Sequence, residues 1–296
     1  MKPMKLSEQS ISRFLEQGTG FSKRYSEKDD GLKIGRRGAI KLGFAGTAGL
    51  LASAQLAAAT GPQTFLLIHG AFHGGWCWSR VADALRAKGH RVFTPSLTGL
   101  GDRAHLLNGS IDLNSHVEDA LAVIESDELK DVVLVGHSFA GFTITGVADR
   151  MPEAIKHLFY LDAAIALSGR SPIADTPPKV WEERLKLATM VNGVPVFASP
   201  PPAYFGVTDP KDAQWMLRHL KPMPVKLYET ALPLKGPPGN KLPRTFVRLT
   251  QPPLPQIDAY AKHAKGNGWK YTELAAPHDV MVTDPEKLAD LLESAS

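Results

Sequence analysis

Val132-Val133-Leu134-Val135-Gly136-His137-Ser138-Phe139-Ala140-Gly141 is the stretch that decides the fold. Four apolar residues, three of them β-branched, predict a strand buried on both faces. A helical pattern follows through about Arg150, so Ser138 falls on the turn from strand into helix. A serine on so sharp a turn is held in strained backbone, and the residues two positions away must be small. Gly136 meets that need, and Ala140 stands where a second glycine is more usual. The turn lifts the hydroxyl clear of the sheet and aims the helix N-terminus at developing negative charge. Ser138 is therefore the candidate nucleophile.

Outward from this elbow, short apolar runs alternate with amphipathic segments. Thr64 to Ile68, Arg91 to Thr94 and His157 to Leu161 read as strands; Trp76 to Gly89 and Leu113 to Ile124 read as helices. Thr245 to Leu249 and Trp269 to Leu274 complete the strands, and Pro285 to Leu292 is a closing helix. The alternation predicts an α/β fold, with a mostly parallel, doubly wound sheet covered on both faces. Between about 165 and 240 the pattern lapses into a proline-rich stretch holding Trp181, Tyr204 and Trp215, with no clear strand. It reads as a cap inserted over the carboxyl edge of the sheet.

Two loops at that edge carry further chemistry. His69-Gly70-Ala71-Phe72-His73-Gly74-Gly75-Trp76 follows the first strand, and its small residues let a backbone amide approach a reacting carbonyl. The Ala71 and Phe139 N–H groups are the two expected oxyanion donors. His69 and His73 share this tight loop with no third ligand nearby, so hydrogen bonding inside the structure is expected of them rather than metal binding. Ala276-Pro277-His278-Asp279-Val280-Met281 follows the last strand, and His278 there is placed to take the serine proton.

The formal charge of +4 belongs to the N-terminus. Residues 1–59 hold ten Lys and Arg against five Asp and Glu; residues 60–296 hold 24 against 25. No basic cluster remains on the domain to suggest nucleic acid. The full chain, with 43% hydrophobic and 22% charged residues, has the composition of a soluble globular protein; residues 60–296 are expected to form the folded domain, and the single Cys77 excludes an intrachain disulfide. Arg36-Arg37-Gly38-Ala39-Ile40-Lys41 precedes a weakly apolar, Ala- and Gly-rich run from Leu42 to Ala59. Residues 1–59 thus resemble a bacterial twin-arginine export signal, too weak for a stable membrane anchor and ending in small residues that suit a signal peptidase. The export machinery is then a partner, and the mature protein is periplasmic or secreted.

Together the H-G-A-x-H-G-G-W block, the G-H-S-F-x-G elbow and the late H-D-V-M resemble the small α/β-hydrolases that include plant methylesterases and hydroxynitrile lyases, and more narrowly their bacterial esterase relatives. The likeness spans about residues 63–293. It implies an α/β-hydrolase fold and a serine carboxylic ester hydrolase with an acyl-enzyme intermediate, acting on small aromatic or apolar esters or related carbamates. In that family the acid usually follows the penultimate strand. Here that loop reads Thr250-Gln251-Pro252-Pro253-Leu254-Pro255-Gln256, with no carboxylate before Asp258. Asp162, directly after the strand ending at Leu161, is the expected substitute; Asp258 and a Ser–His dyad are the alternatives. The lyases place a Lys after the histidine and a Thr in the first loop, where this chain has Asp279 and Gly70. A non-catalytic binding protein on the same fold is the other rival. Phe72, Trp76, Trp181 and Tyr204 are expected to line the substrate pocket, and no metal or organic cofactor is expected.

Overall fold

A computed structural model describes residues 61–295; the export-signal reading falls on residues outside these. Nine strands and nine helices follow the chain in this range. The first are β1 (Thr64–Ile68), α1 (Ser79–Ala87), β2 (Arg91–Phe93), α2 (Leu113–Ser126), β3 (Val132–His137), α3 (Ala140–Arg150) and β4 (Ile155–Leu161). The chain then leaves the sheet through α4 (Pro178–Leu185), β5 (Thr189–Val191), β6 (Val194–Phe197), α5 (Pro210–His219), β7 (Met223–Pro224) and α6 (Lys226–Glu229). It returns as β8 (Arg244–Leu249), α7 (Asp258–Gly266), β9 (Lys270–Leu274), α8 (Val280–Thr283) and α9 (Pro285–Ala295).

Six strands pair in the order β2-β1-β3-β4-β8-β9, every neighbour parallel. The pleat sorts their side chains onto two cores. Phe65, Leu67, Val133, Val135, Phe159 and Val247 face one side, where Val81 and Leu85 of α1 and Leu288 and Leu292 of α9 cover them. Leu66, Ile68, Val132, Leu134, Leu158 and Phe246 face the other, under Val117 and Ile124 of α2, Ile144 and Val147 of α3 and Ala264 of α7. A sheet buried on both faces explains why its strands read as unbroken apolar runs. Because all six strands run the same way, the loops after β1, β3, β4, β8 and β9 emerge on one edge, where open α/β sheets place their ligands.

The excursion between β4 and β8 departs from the sequence reading in one respect. Its sequence shows no clear strand, yet β5, β6 and β7 form a separate antiparallel sheet. These strands are two to four residues long, and Pro195 and Pro224 lie within them, so no periodicity could reveal them. At the start of α1, residues Gly75–Trp78 form a 3₁₀ turn where continuous helix was expected.

Candidate functional site

The elbow takes the geometry that its sequence demands. Ser138 has φ of +55°, Asp162 +44° and Phe72 +69°, so three non-glycine residues in left-handed backbone sit in the three loops that meet at this edge. Such backbone costs of order 1–3 kcal/mol per residue and persists only where the surroundings hold it. Here the surroundings are hydrogen bonds between the loops. Ser138 N–H donates to the Leu161 carbonyl at 3.1 Å, and the Ser138 carbonyl accepts from Ala164 N–H at 2.9 Å and Gly141 N–H at 3.2 Å. Asp162 N–H donates to the Val247 carbonyl at 2.7 Å. The elbow and the Asp162 loop are therefore fastened to each other.

Close approach, rather than the elbow's own strain, explains two glycines. A Cβ on Gly141 would lie 1.8 Å from the Ala164 carbonyl oxygen, and one on Gly70 would lie 2.9 Å from the Ser138 Cβ. Gly141, one residue beyond the small position occupied by Ala140, is thus the position that admits the loop after β4.

His278 and Asp162 meet directly: Nδ1 of His278 donates to Asp162 Oδ2 at 2.6 Å, with both side chains buried. That bond places the proton on Nδ1 and leaves Nε2 as the basic nitrogen. The second Asp162 oxygen accepts from Arg248 Nη1 at 2.6 Å and from Leu249 N–H at 3.1 Å. Burial alone would raise the Asp162 carboxyl; the His278 hydrogen bond and charge, followed by Arg248, outweigh it and hold the group below the usual carboxylate range. Asp258 touches Arg248 Nη2 at 2.7 Å and is mostly exposed, so of the two candidate acids only Asp162 lies against His278.

Sequence spacing gave no sign of a second buried pair. His73 donates from Nδ1 to the Ala71 carbonyl at 2.7 Å and from Nε2 to Asp279 Oδ2 at 2.9 Å. Both ring nitrogens face acceptors, so His73 is an imidazolium and Asp279 its carboxylate. Burial opposes both charges, yet each group is held in its charged form by the other: His73 is shifted up and Asp279 down. The pair ties the candidate oxyanion loop to the residue next to His278. The other two histidines here are neutral. His137 donates from Nε2 to the His278 carbonyl at 3.0 Å, and its ring centroid lies 4.5 Å from that of His278. His69 donates from Nδ1 to the Gly70 carbonyl and accepts the Leu97 N–H on Nε2. Burial lowers both to about 3. These contacts are the structural hydrogen bonding expected of His69 and His73. His137, His278 and Asp279 bring potential ligand atoms within 4.8 Å of one another. Each residue is buried and makes a hydrogen bond through one polar atom, while His137 Nδ1 and Asp279 Oδ1 have no hydrogen-bond partner among the described residues.

Ala71 and Phe139 are both half-buried on the facing loops, and Phe139 is the N-cap of α3. The four candidate pocket aromatics divide. Phe72 and Trp181 lie in the core, Trp181 edge-on to Phe197. Trp76 and Tyr204 are half-buried. Trp76 stacks on His73 and meets Trp215 edge-on, and it also lines a cleft of about 560 Å³ with Arg218 and His219. Tyr204 packs edge-on to Phe205, whose ring is stacked 6.3 Å from His278. Tyr228, which sequence reading passed over, sits 5.0 Å from the Phe139 ring beside the candidate nucleophile.

Among the described residues, no helix is long and apolar enough to cross a membrane. Comparison with known proteins places this architecture. The model of the alpha/beta hydrolase family matches residues 65–291. A carbendazim hydrolyzing esterase from Nocardioides sp. (strain SG-4G) is 39% identical over 239 residues, covering 77% of this chain and 97% of that protein. Methylesterase 10 of Arabidopsis thaliana is 34% identical over 117 residues, 39% of this chain and 40% of its own length. Among solved structures, an extracellular alpha/beta-hydrolase from a Paenibacillus species superposes with a TM-score of 0.67 at 25% identity, over 79% of this chain and 99% of that one. A match spanning β1 to α9, on a sheet of this order with the elbow at its carboxyl edge, settles the grouping: the chain belongs to the α/β-hydrolase family.

Proposed function

We propose that this α/β-hydrolase is a serine carboxylesterase in which Ser138, His278 and Asp162 form the catalytic triad. One observation carries the reading: His278 is held by Asp162 at 2.6 Å through Nδ1, in the loop packed on the strained elbow of Ser138. In the forward step the Ser138 Oγ attacks the ester carbonyl carbon while its proton passes to Nε2 of His278. The carbonyl oxygen becomes an oxyanion, taken by the N–H groups of Ala71 and Phe139. Collapse expels the alcohol, which leaves with the proton from Nε2, and the acyl group stays on Ser138. Water then attacks the acyl carbon with His278 again as base, releasing the acid and the free serine. Asp162 keeps the tautomer and stabilises the imidazolium in both halves.

The surroundings of Ser138 support a reading of the substrate class. Phe139 and Tyr228 beside Ser138, and Tyr204 on the Phe205 ring that stacks near His278, offer apolar and aromatic contact, which suits small aromatic or apolar acyl groups. The names of the Nocardioides and Arabidopsis relatives point the same way, toward esters and, for the first, carbendazim. A panel of 4-nitrophenyl and aromatic methyl esters with matching carbamates, run on the wild type and on Ser138→Ala, tests the assignment. Hydrolysis is expected with the wild type and should fall to background with the variant; equal turnover by both would refute it. Residues 1–59 are proposed as a twin-arginine export signal, checked by whether Arg36→Lys with Arg37→Lys keeps the protein out of the periplasmic fraction.

A further inference from the structure

We propose that Arg248 is a positioning residue of the triad: its guanidinium fork fixes the Asp162 carboxylate on His278 and offsets part of the negative charge presented to that ring. The inference rests on the triad reading above. Arg248 is a charged residue inside β8, where every residue after the half-buried Arg244 is buried, and its side chain is only 6% exposed. One arm reaches Asp162 Oδ1 at 2.6 Å; the other spans the Leu254 carbonyl at 3.0 Å and Asp258 Oδ1 at 2.7 Å. With Leu249 N–H on the same oxygen, Asp162 Oδ1 is held from two sides, and only Oδ2 is left for His278. Neither carboxylate rotation nor exchange of oxygens is then open to Asp162.

The fork also compensates charge. Asp162 alone would set an uncompensated negative charge directly against the His278 ring. Arg248 offsets part of that field. The other groups facing His278 are the neutral His137 ring and the buried Asp279, whose charge is matched by His73. On its far side Arg248 faces Asp258 and feels Glu273, both bordering a solvent cleft of about 460 Å³. Asp258 and Glu273 are 69% and 55% exposed, so solvent screening weakens their offset of the Arg248 charge.

The test is the pH dependence of kcat/KM for 4-nitrophenyl acetate, with fluorophosphonate labelling of Ser138 in parallel, for wild type, Arg248→Met and Arg248→Lys. In Arg248→Met the acid limb should move to higher pH by about half a unit or more, because the uncompensated carboxylate raises the proton affinity of His278. Turnover at the optimum should fall at least roughly tenfold. Arg248→Lys keeps the charge but loses the fork: the limb should stay within about 0.3 units while kcat falls severalfold and KM holds. An unmoved or down-shifted limb in Arg248→Met overturns the inference. Should that variant not fold, wild-type kcat in Arg248→Lys overturns it on its own. A wild type that resists labelling would instead defeat the triad reading itself.

Discussion

Asp162 shows how much a single residue can decide. Its place after β4 made it the candidate acid, because the loop after β8 has no carboxylate before Asp258. The structure adds what no sequence pattern held: φ of +44°, the bond to His278, and the arginine behind it. Asp162→Asn should lower kcat by roughly 10⁴, since the amide favours the wrong imidazole tautomer. Asp258→Asn should stay within about threefold, as its charge is exposed and screened. Steady-state kinetics of the two variants check this, and the reverse ranking would move the acid to Asp258. A second residue-scale outcome concerns Gly141. The added methyl in Gly141→Ala meets the Ala164 carbonyl oxygen at 1.8 Å, and the backbone contact cannot yield without moving the elbow. A loss of about 3 kcal/mol or more is expected in denaturant unfolding; an unchanged midpoint would mean the two loops are not in this contact.

At the scale of elements, the strands of the main sheet were legible because burial on both faces leaves continuous apolar runs, and the elbow because its glycine-rich turn follows one. The segment from Pro178 to Glu229 was not, since its strands are short, its prolines interrupt any period, and β6 finds its second partner, β7, more than 20 positions along the chain. Contacts between distant loops were equally invisible. His73 and Asp279 are separated by 206 positions, and nothing in either motif says that they pair. That pair joins the loop after β1 to the loop after β9. Asp279→Asn leaves the buried His73 without its counter-ion and should cost roughly 3–5 kcal/mol. The double change with His73→Gln should recover part of that loss. Chemical denaturation of the single and double variants measures the coupling; additive losses would show that the two loops are not tied through this pair.

For the whole molecule, buried histidines set the acid limit. Burial holds His69 and His137 neutral down to about 3 and His116 to about 4. In the unfolded chain each titrates near 6.5, so from there down toward 4 the unfolded state binds more protons and stability falls. These three groups give a slope of about 4 kcal/mol per pH unit at its steepest, and the buried His157, also lowered to about 4, adds to it. His73, shifted upward, works in the other direction: its stabilisation is complete below 6.5 and fades as pH rises through its folded value. Asp162 and Asp279, shifted downward, stabilise above about 3.8 and lose that effect only in stronger acid. Urea midpoints should therefore drop sharply between pH 7 and pH 5; a flat profile would mean that the buried histidines are charged in the fold.

Ser138 is proposed as an activated nucleophile, and reaction of the full chain with a fluorophosphonate probe tests this without presuming a substrate. The expected result is a single adduct at Ser138, located by mass spectrometry and absent in His278→Ala. A folded wild-type protein that takes up no probe, or labelling that persists in His278→Ala, would contradict the account.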